Sequence, residues 1–198
     1  LINSQPMGFY SASTLLQDAE RHGAEIRPIC IVKSSWNCTI ERDGSSNDAR
    51  TRAVRVGLRQ IKGIGEPTAR RIEQAREQAP FTGVEDLSAR AKLKHDELEA
   101  LAESGALEPL MAGRRNVLWK IQVPKEDNSS LFAGKDPGDP LPTFAPLTRS
   151  AQLSLDYERT GISVSDHPMR LLRQRLPKSI KSSLDLAKLT HGKRVSTA

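Results

Sequence analysis

Two glycines separated by one residue, Gly63 and Gly65, carry the clearest binding chemistry in this sequence. Glycine lets a chain turn tightly, and without a Cβ it lets backbone N–H groups come close to a phosphate. Glu66 and Pro67 follow and suit the first turn of a helix. A carboxylate is favoured at the positive end of a helix, and the N–H that proline lacks would have no hydrogen-bond partner within the helix at this position. The pattern predicts a short hairpin that binds phosphate oxygens and leads directly into a helix.

Apolar residues at helical spacing lie on both sides of these glycines, so two helices can pack against each other across the turn. Residues 58–72 as a whole have the pattern of a helix-hairpin-helix, a module that holds a nucleic-acid backbone without reading its bases. The alternative is a glycine-rich connection between two ordinary helices, with no ligand. The apolar residues are Leu58, Ile61, Ile64, Ala69 and Ile72.

Positive charge is concentrated beside the hairpin. Residues 50–76 hold eight Lys or Arg and two Glu, whereas the whole chain has a net charge of +6. This placement favours phosphate binding that is sensitive to salt and tolerant of base sequence. For any single arginine, a solvated helix face is the alternative. The residues predicted to bind DNA are Lys62, Gly63, Ile64, Gly65, Thr68, Arg70, Arg71 and Arg59.

A second, degenerate copy is predicted over residues 84–110, with helices at residues 84–91 and 96–103 and a turn at residues 104–107 that has one glycine. Three basic and seven acidic residues give this copy a charge balance of −4. We therefore expect it to repel phosphate and to act mainly as packing support. Its predicted core residues are Leu87, Leu93, Leu98, Leu101 and Leu107.

Composition sets the outer limits. The chain has 198 residues, of which 37% are hydrophobic and 4% aromatic, enough for one or two small cores. Without a long apolar run or a secretory leader, we expect a cytoplasmic protein with no membrane segment, and its start at Leu1 suggests a piece of a longer protein. Cys30 and Cys38 form no CxxC pair, so reduced thiols are expected instead of a zinc site. No catalytic residue or metal ligand is predicted, and His167 is expected to lie in a turn or cap a helix.

The predicted fold is mainly α and has four parts. Five of the twelve prolines fall within residues 124–148, which therefore form a linker and not a packed core. The parts are a small α/β segment (residues 1–48), a tandem helix-hairpin-helix domain (49–120), a Pro-rich tether (121–148) and a helical segment (149–198).

Local patterns outside the tandem domain predict three helices and one extended stretch. The first helix, at residues 14–22, opens with the capping pattern of Thr14 and Gln17 and ends before Gly23. An extended stretch follows at residues 25–32. The other two predicted helices cover residues 152–160 and 167–176.

The tether contains Asn128, Leu131 and Phe132. Apolar anchors in a stretch with no core of its own favour docking to a partner protein. The alternative is that Leu131 and Phe132 pack back on a neighbouring domain.

Several runs of sequence resemble bacterial C-family DNA polymerases. They are NSQPMGFYSASTLLQDAERHGAEIRP at residues 3–28, the hairpin itself, and ERTGISVSDHP at residues 158–168. The resemblance covers essentially the whole chain. The runs at residues 7–10, 36–39 and 114–119 are closer to the error-prone translesion branch than to the replicative DNA polymerase III α subunit. The resemblance implies damage-tolerant, mutagenic DNA synthesis.

In that family this stretch would hold the end of the fingers, the tandem helix-hairpin-helix region, a clamp tether and the approach to an OB-fold. Replicative relatives carry a Gln-x-x-Leu-Phe clamp motif, with which Asn128, Leu131 and Phe132 align except that Asn replaces Gln. The family's catalytic, metal-binding aspartates lie in an upstream palm that nothing here matches. The resemblance thus implies primer–template DNA as a partner, with the sliding clamp or mutagenesis accessory proteins. It implies Mg²⁺ for a longer polymerase and no cofactor for this stretch.

Two functions of other classes are alternatives. A DNA-repair enzyme such as a glycosylase would combine the hairpin with a catalytic Asp, for which Asp86 is the candidate, although an acidic residue at a helix start has a structural explanation. A protein-interaction module would recruit mutagenesis partners through the tether and tail, with a vestigial hairpin.

Overall fold

The computed structural model describes residues 1–6, 8–42, 52–122, 144–177, 179–186, 188–192 and 194–197. The described secondary structure is mainly helical, which confirms the predicted fold class. Asn128, Leu131 and Phe132 lie outside the described residues, so their predicted docking role stays a prediction.

Helix α1 spans Ala12–Arg21 and is capped by Ser11, whose Oγ accepts a hydrogen bond from the backbone N–H of Thr14. The helix therefore begins two residues before the predicted start at Thr14, because Ser11, three residues before Thr14, is the residue that caps it. Gly23 follows the helix with φ of 89°, as expected for a glycine that ends a helix.

A three-stranded sheet follows, built from β1 (Glu25–Arg27), β2 (Thr39–Arg42) and β3 (Arg52–Arg55) in the order β1-β3-β2. Strand β3 pairs parallel to β1 and antiparallel to β2. Strands from both sides of the predicted limit at residue 48 thus share one sheet, while the domain limits themselves stay a prediction.

The extended stretch predicted at residues 25–32 is shorter than expected. Only β1 is a strand, because the chain turns after Cys30, whose carbonyl accepts hydrogen bonds from the N–H groups of Lys33 and Ser34. The side chain of Ser34 is fully buried in this turn and donates to the carbonyl of Val56. The turn thereby joins the sheet to the segment that precedes the hairpin.

The first hairpin unit consists of a 3₁₀ turn at Leu58–Gln60 and helix α2 at Glu66–Gln78. The second helix begins where the sequence predicts, but the first is a single 3₁₀ turn. The N–H groups of Leu58 and Arg59 donate to the carbonyls of Ser35 and Trp36, which holds this turn against the neighbouring segment.

The second hairpin unit has its helices close to their predicted positions. Helix α3 spans Val84–Arg90, α4 spans His95–Glu103 and α5 spans Arg114–Gln122. The remaining described elements are α6 (Arg149–Thr160), α7 (Pro168–Leu172) with a 3₁₀ turn at Arg173–Arg175, β4 (Ile180–Lys181), α8 (Ser183–Leu186) and β5 (Ser196–Thr197).

Helix α6 starts three residues before its predicted start and is capped by Thr148. His167 caps α7, since its Nδ1 accepts a hydrogen bond from the N–H of Met169, which confirms its predicted structural role. The predicted helix at residues 167–176 is divided between α7 and the 3₁₀ turn.

One hydrophobic core joins the sheet, both hairpin units and the end of α6. Leu58, Ile72, Leu101 and Leu107 are almost fully buried in it, and Leu93 packs at its edge. Cys30 and Cys38 are free thiols. Within the described part of the chain, no helix is both long enough and apolar enough to cross a lipid bilayer.

Candidate nucleic-acid interface

Hairpin 1, defined as residues 62–65, turns at Gly63, which has φ of 96°. An L-residue rarely adopts this conformation, so glycine is required there. Ile64 is buried and anchors the turn, whereas Lys62, Gly63 and Gly65 are exposed. Gly65 is the N-cap of α2, and no side chain caps the first turn of that helix. The positive end of α2 therefore faces solvent directly beside the exposed turn.

Helix α4 supports hairpin 1 through one face, on which Glu97, Ala100 and Glu103 recur every three residues. A Cβ built on Gly63 would lie 3.6 Å from the Cβ of Ala100, an ordinary contact, so the turn rests directly on this helix. The carboxylate of Glu103 pairs with Arg159 of α6. The acidic second copy thus acts as a platform for the first.

Glu97 joins the two hairpin units. The hydroxyl of Thr68 donates a hydrogen bond to the Glu97 carboxylate. The guanidinium of Arg71 donates to the same carboxylate, with 3.2 Å between its nitrogen and Oε2 of Glu97. Burial opposes ionisation of Glu97, but hydrogen bonds from Thr68 and from the N–H of Lys94, together with the charge of Arg71, hold its pKa below the usual value. The carboxylate is therefore ionised at neutral pH and neutralises part of the predicted basic cluster.

Several of the residues predicted to bind DNA have partners within the protein. Thr68 is 5% exposed. Arg71 also donates to the carbonyl of Ala91, and Arg59 donates to the carbonyls of Asn3 and Gln5. For these three side chains, the structure supplies a packing role, and their contact with DNA stays a prediction.

The side chains of Lys62 and Arg70 differ from this group. No ion pair or hydrogen bond of the Lys62 side chain occurs among the described residues. Arg70 is 54% exposed and pairs with Glu66 and Glu73. Because the pair with Glu66 is exposed and contributes little stability, Arg70 can exchange that carboxylate for a phosphate at small cost, whereas Glu73 is 13% exposed and also accepts a hydrogen bond from the N–H of Trp36.

Much of the remaining positive charge of residues 50–76 is also used internally. Arg55 is 7% exposed and pairs with Glu41. Arg76 donates to the carbonyls of Ile31 and Ser34, which closes the turn after the sheet. The positive excess in the sequence therefore overstates the charge that hairpin 1 presents to solvent.

Hairpin 2, defined as residues 104–107, is turned inward. Gly105 has φ of 78°, and a Cβ there would lie 2.7 Å from a guanidinium nitrogen of Arg114, which covers the turn. The carbonyl of Ala106 accepts a hydrogen bond from Ile31. This geometry agrees with the expected packing role and gives a phosphate no approach comparable to that at hairpin 1.

The comparisons with known proteins agree with this geometry. A family model described as a helix-hairpin-helix motif matches residues 23–117. The chain is 42% identical over 200 residues to the error-prone DNA polymerase of Pseudomonas aeruginosa, covering all of this chain and 19% of that protein. It is 43% identical over 177 residues to the error-prone DNA polymerase of an Azoarcus species, covering 89% of this chain and 16% of that protein. Over its whole length, the chain is therefore similar to a segment of the error-prone DNA polymerases. It spans about one fifth of the length of these relatives.

Asp86, the candidate for repair chemistry, has a structural role in this chain. Its carboxylate accepts hydrogen bonds from the N–H of Thr82 and from Arg90, and these contacts, the first above all, lower its pKa. It thereby fixes the start of α3. Together with the polymerase relatives, this favours the polymerase interpretation over a glycosylase.

The functional residues that the sequence alone did not reveal are the partners of the arginines. Local charge counting places Arg71 in a basic cluster but cannot show that Glu97, 26 residues later, faces it. It also misses Arg159, whose backbone carbonyl accepts a hydrogen bond from Lys62. Arg159 lies in the run ERTGISVSDHP, and this run is the signal in the sequence that points to it.

Proposed function

We propose that this segment binds the sugar-phosphate backbone of duplex DNA, without base specificity, through hairpin 1. It would do so as the DNA-holding part of an error-prone polymerase that acts in damage-induced mutagenesis and translesion synthesis. The cytoplasm, where bacterial DNA lies, is the compartment that this function requires.

The exposed turn of hairpin 1 is the observation that carries this proposal. Gly63 and Gly65 leave the backbone uncovered, and the positive end of α2 begins at the same point. Lys62 adds a side-chain charge with no carboxylate partner among the described residues. Backbone N–H groups and a flexible ammonium contact phosphate oxygens but not base edges, so sequence selection is left to base pairing.

Fluorescence anisotropy of a labelled primer–template, titrated with the 198-residue chain at several salt concentrations, tests this proposal. The wild-type chain should bind with a steep salt dependence. Lys62→Glu should weaken binding and reduce the slope of log affinity against log salt by about one. Arg21→Glu, the same charge change on exposed α1, is the matched control and should leave the slope nearly unchanged.

Gly65→Ala separates backbone contact from charge. The φ of Gly65 is −92°, and a Cβ there would lie 3.5 Å from Cδ of Pro67, so the variant should fold normally. The added methyl group stands where a phosphate would approach, and affinity should fall with the net charge unchanged. Equal binding by wild type, Lys62→Glu and Gly65→Ala would contradict the proposal.

Polymerase activity is proposed for the longer protein and not for this segment. Among the described residues, no three His, Cys, Asp or Glu side chains are grouped so that they could hold a metal ion. The residues present therefore do not fit a Mg²⁺ centre, and we assign no catalytic step to them. We propose that Mg²⁺ is used elsewhere in the polymerase, and that Asn128, Leu131 and Phe132 recruit the sliding clamp or a mutagenesis accessory protein.

A further inference from the structure

We propose that helix α6 is a working part of the DNA-binding hairpin, and that Arg159 is the positioning residue that connects them. The inference rests on the proposed binding of DNA by hairpin 1. It gives a role to the first part of the run at residues 158–168, which carries the polymerase resemblance but which the proposed function does not use.

The connection is a backbone hydrogen bond. The N–H of Lys62, the first residue of hairpin 1, donates to the carbonyl of Arg159 at 2.8 Å. The last four carbonyls of a helix have no partner within the helix, and Arg159 lies in the final turn of α6. Each element therefore satisfies a polar group that the other leaves open.

The Arg159 side chain holds this end of α6 in place. Its Nε donates to the carboxylate of Glu103 on α4, the helix that also supports Gly63. Hairpin 1 is thus held between two supports, α4 beneath the turn and the end of α6 beside it. The ion pair joins these supports to each other.

The chain after Arg159 is fixed as well. The hydroxyl of Thr160 donates to the carbonyl of Asp156, and Gly161 ends α6 with φ of 68°. Ile162 then enters the core, where it is 6% exposed. These contacts set where α6 stops, and so where the carbonyl of Arg159 points.

A second anchor lies one turn earlier. Asp156 pairs with Arg114 at 2.7 Å, and both side chains are 8% exposed. Ser163 donates to the same carboxylate at 2.7 Å. Separating a buried ion pair of this kind is strongly unfavourable, because it leaves a buried charge without its partner. Helix α6 is therefore seated firmly enough to hold a hairpin in one shape.

Holding the hairpin in one shape affects DNA affinity through pre-organisation. A turn that is free in solution must lose conformational entropy when it binds phosphate, and a turn that is already fixed does not. The hydrogen bond to Lys62 removes one N–H from those available to DNA, but it orients the N–H groups and the glycines that follow.

Glu103→Gln is the decisive variant because electrostatics and positioning predict opposite results. Removing a negative charge near hairpin 1 should strengthen DNA binding if charge alone matters. We expect affinity to fall roughly threefold to tenfold, because the amide oxygen of Gln can still accept from Arg159 but the hydrogen bond loses the contribution of the carboxylate charge. The salt slope should stay as in wild type, since the number of phosphate contacts is unchanged. Amide hydrogen exchange at Lys62 should become faster in the DNA-free protein.

Glu158→Gln is the matched control, since it removes the same charge from an exposed position beside Arg159. It should not weaken binding or speed exchange at Lys62. Arg159→Lys is the second variant, for use if Glu103→Gln does not fold. It keeps the positive charge but loses the planar guanidinium, and it should give the same fall in affinity and faster exchange.

The outcomes separate this inference from the proposed function. If the wild-type chain binds DNA, and both Glu103→Gln and Arg159→Lys bind as tightly or more tightly with unchanged exchange at Lys62, the positioning role is refuted. If the wild-type chain shows no salt-dependent binding, the proposed function fails. Faster exchange in the variants would then support only the structural connection between α6 and hairpin 1.

Discussion

The ionised carboxylate of Glu41 stabilises the three-stranded sheet, and this contribution to stability depends on pH. Its carboxylate accepts hydrogen bonds from Arg55 at 2.9 Å and from Arg27 at 2.8 Å, so that all three strands are tied together. Hydrogen bonds from Arg55, then those from Arg27, outweigh burial and lower the pKa of Glu41 from 4.5 to about 2. A depressed carboxylate pKa stabilises the folded state above the unfolded pKa, and this contribution is lost as the pH falls towards the folded pKa.

The difference between the folded and unfolded pKa of Glu41 corresponds to about 3 kcal/mol of folding stability at pH 7, and about 1 kcal/mol of this stability is left at pH 3. We therefore expect Glu41→Gln to lower the free energy of unfolding by about 3 kcal/mol at pH 7 and by about 1 kcal/mol at pH 3. Urea unfolding followed by circular dichroism at both pH values measures this. Glu20→Gln, on the exposed side of α1, is the control and should change little at either pH. An equal loss for Glu41→Gln at pH 7 and pH 3 would refute the reasoning.

Two further predictions concern the packing behind hairpin 1. A Cβ on Gly57 would overlap the backbone carbonyl carbon of Asn37, so Gly57→Ala should lower the free energy of unfolding by about 1–3 kcal/mol. Gly65→Ala should change the free energy of unfolding by less than about 0.5 kcal/mol, because a Cβ there makes only an ordinary contact. Thermal melts of both variants test this, and similar melting temperatures would contradict it. Leu101→Ala should lower the free energy of unfolding by about 2–5 kcal/mol, measured by urea titration, because Leu101 is fully buried. Leu184→Ala, at an 80% exposed position, is the control. Equal unfolding midpoints for the two variants would show that α4 is not the support described above.

The sequence predicted the hairpin and its helix well because those signals are local. Glycine spacing locates the turn at Gly63, and Pro67 marks the start of α2. The first helix of the unit was overestimated because its apolar spacing also fits a 3₁₀ turn held by Ser35 and Trp36. Such long-range hydrogen bonds leave no local trace.

The candidate site was predicted only in part for the same reason. Residue types place Lys62, Arg70 and Arg71 together, but burial and pairing decide which of them faces solvent. Arg71 is used by Glu97, while the side chain of Lys62 extends from an exposed turn. The acidic charge of the second copy predicted its supporting role correctly, although the sequence could not show which carboxylates meet which arginines.

The hydrogen bond between Lys62 and Arg159 can form only late in the synthesis of the chain. Roughly 100 residues separate its two partners, so hairpin 1 emerges during synthesis long before α6 exists. At about 5–20 residues per second, the ribosome needs about 5–20 s to make the intervening chain. During that interval the nascent hairpin has its glycines but not its second support. The proposed role of α6 thus predicts that full affinity for nucleic acid is acquired only after α6 has left the ribosome, which would limit premature binding by unfinished chains.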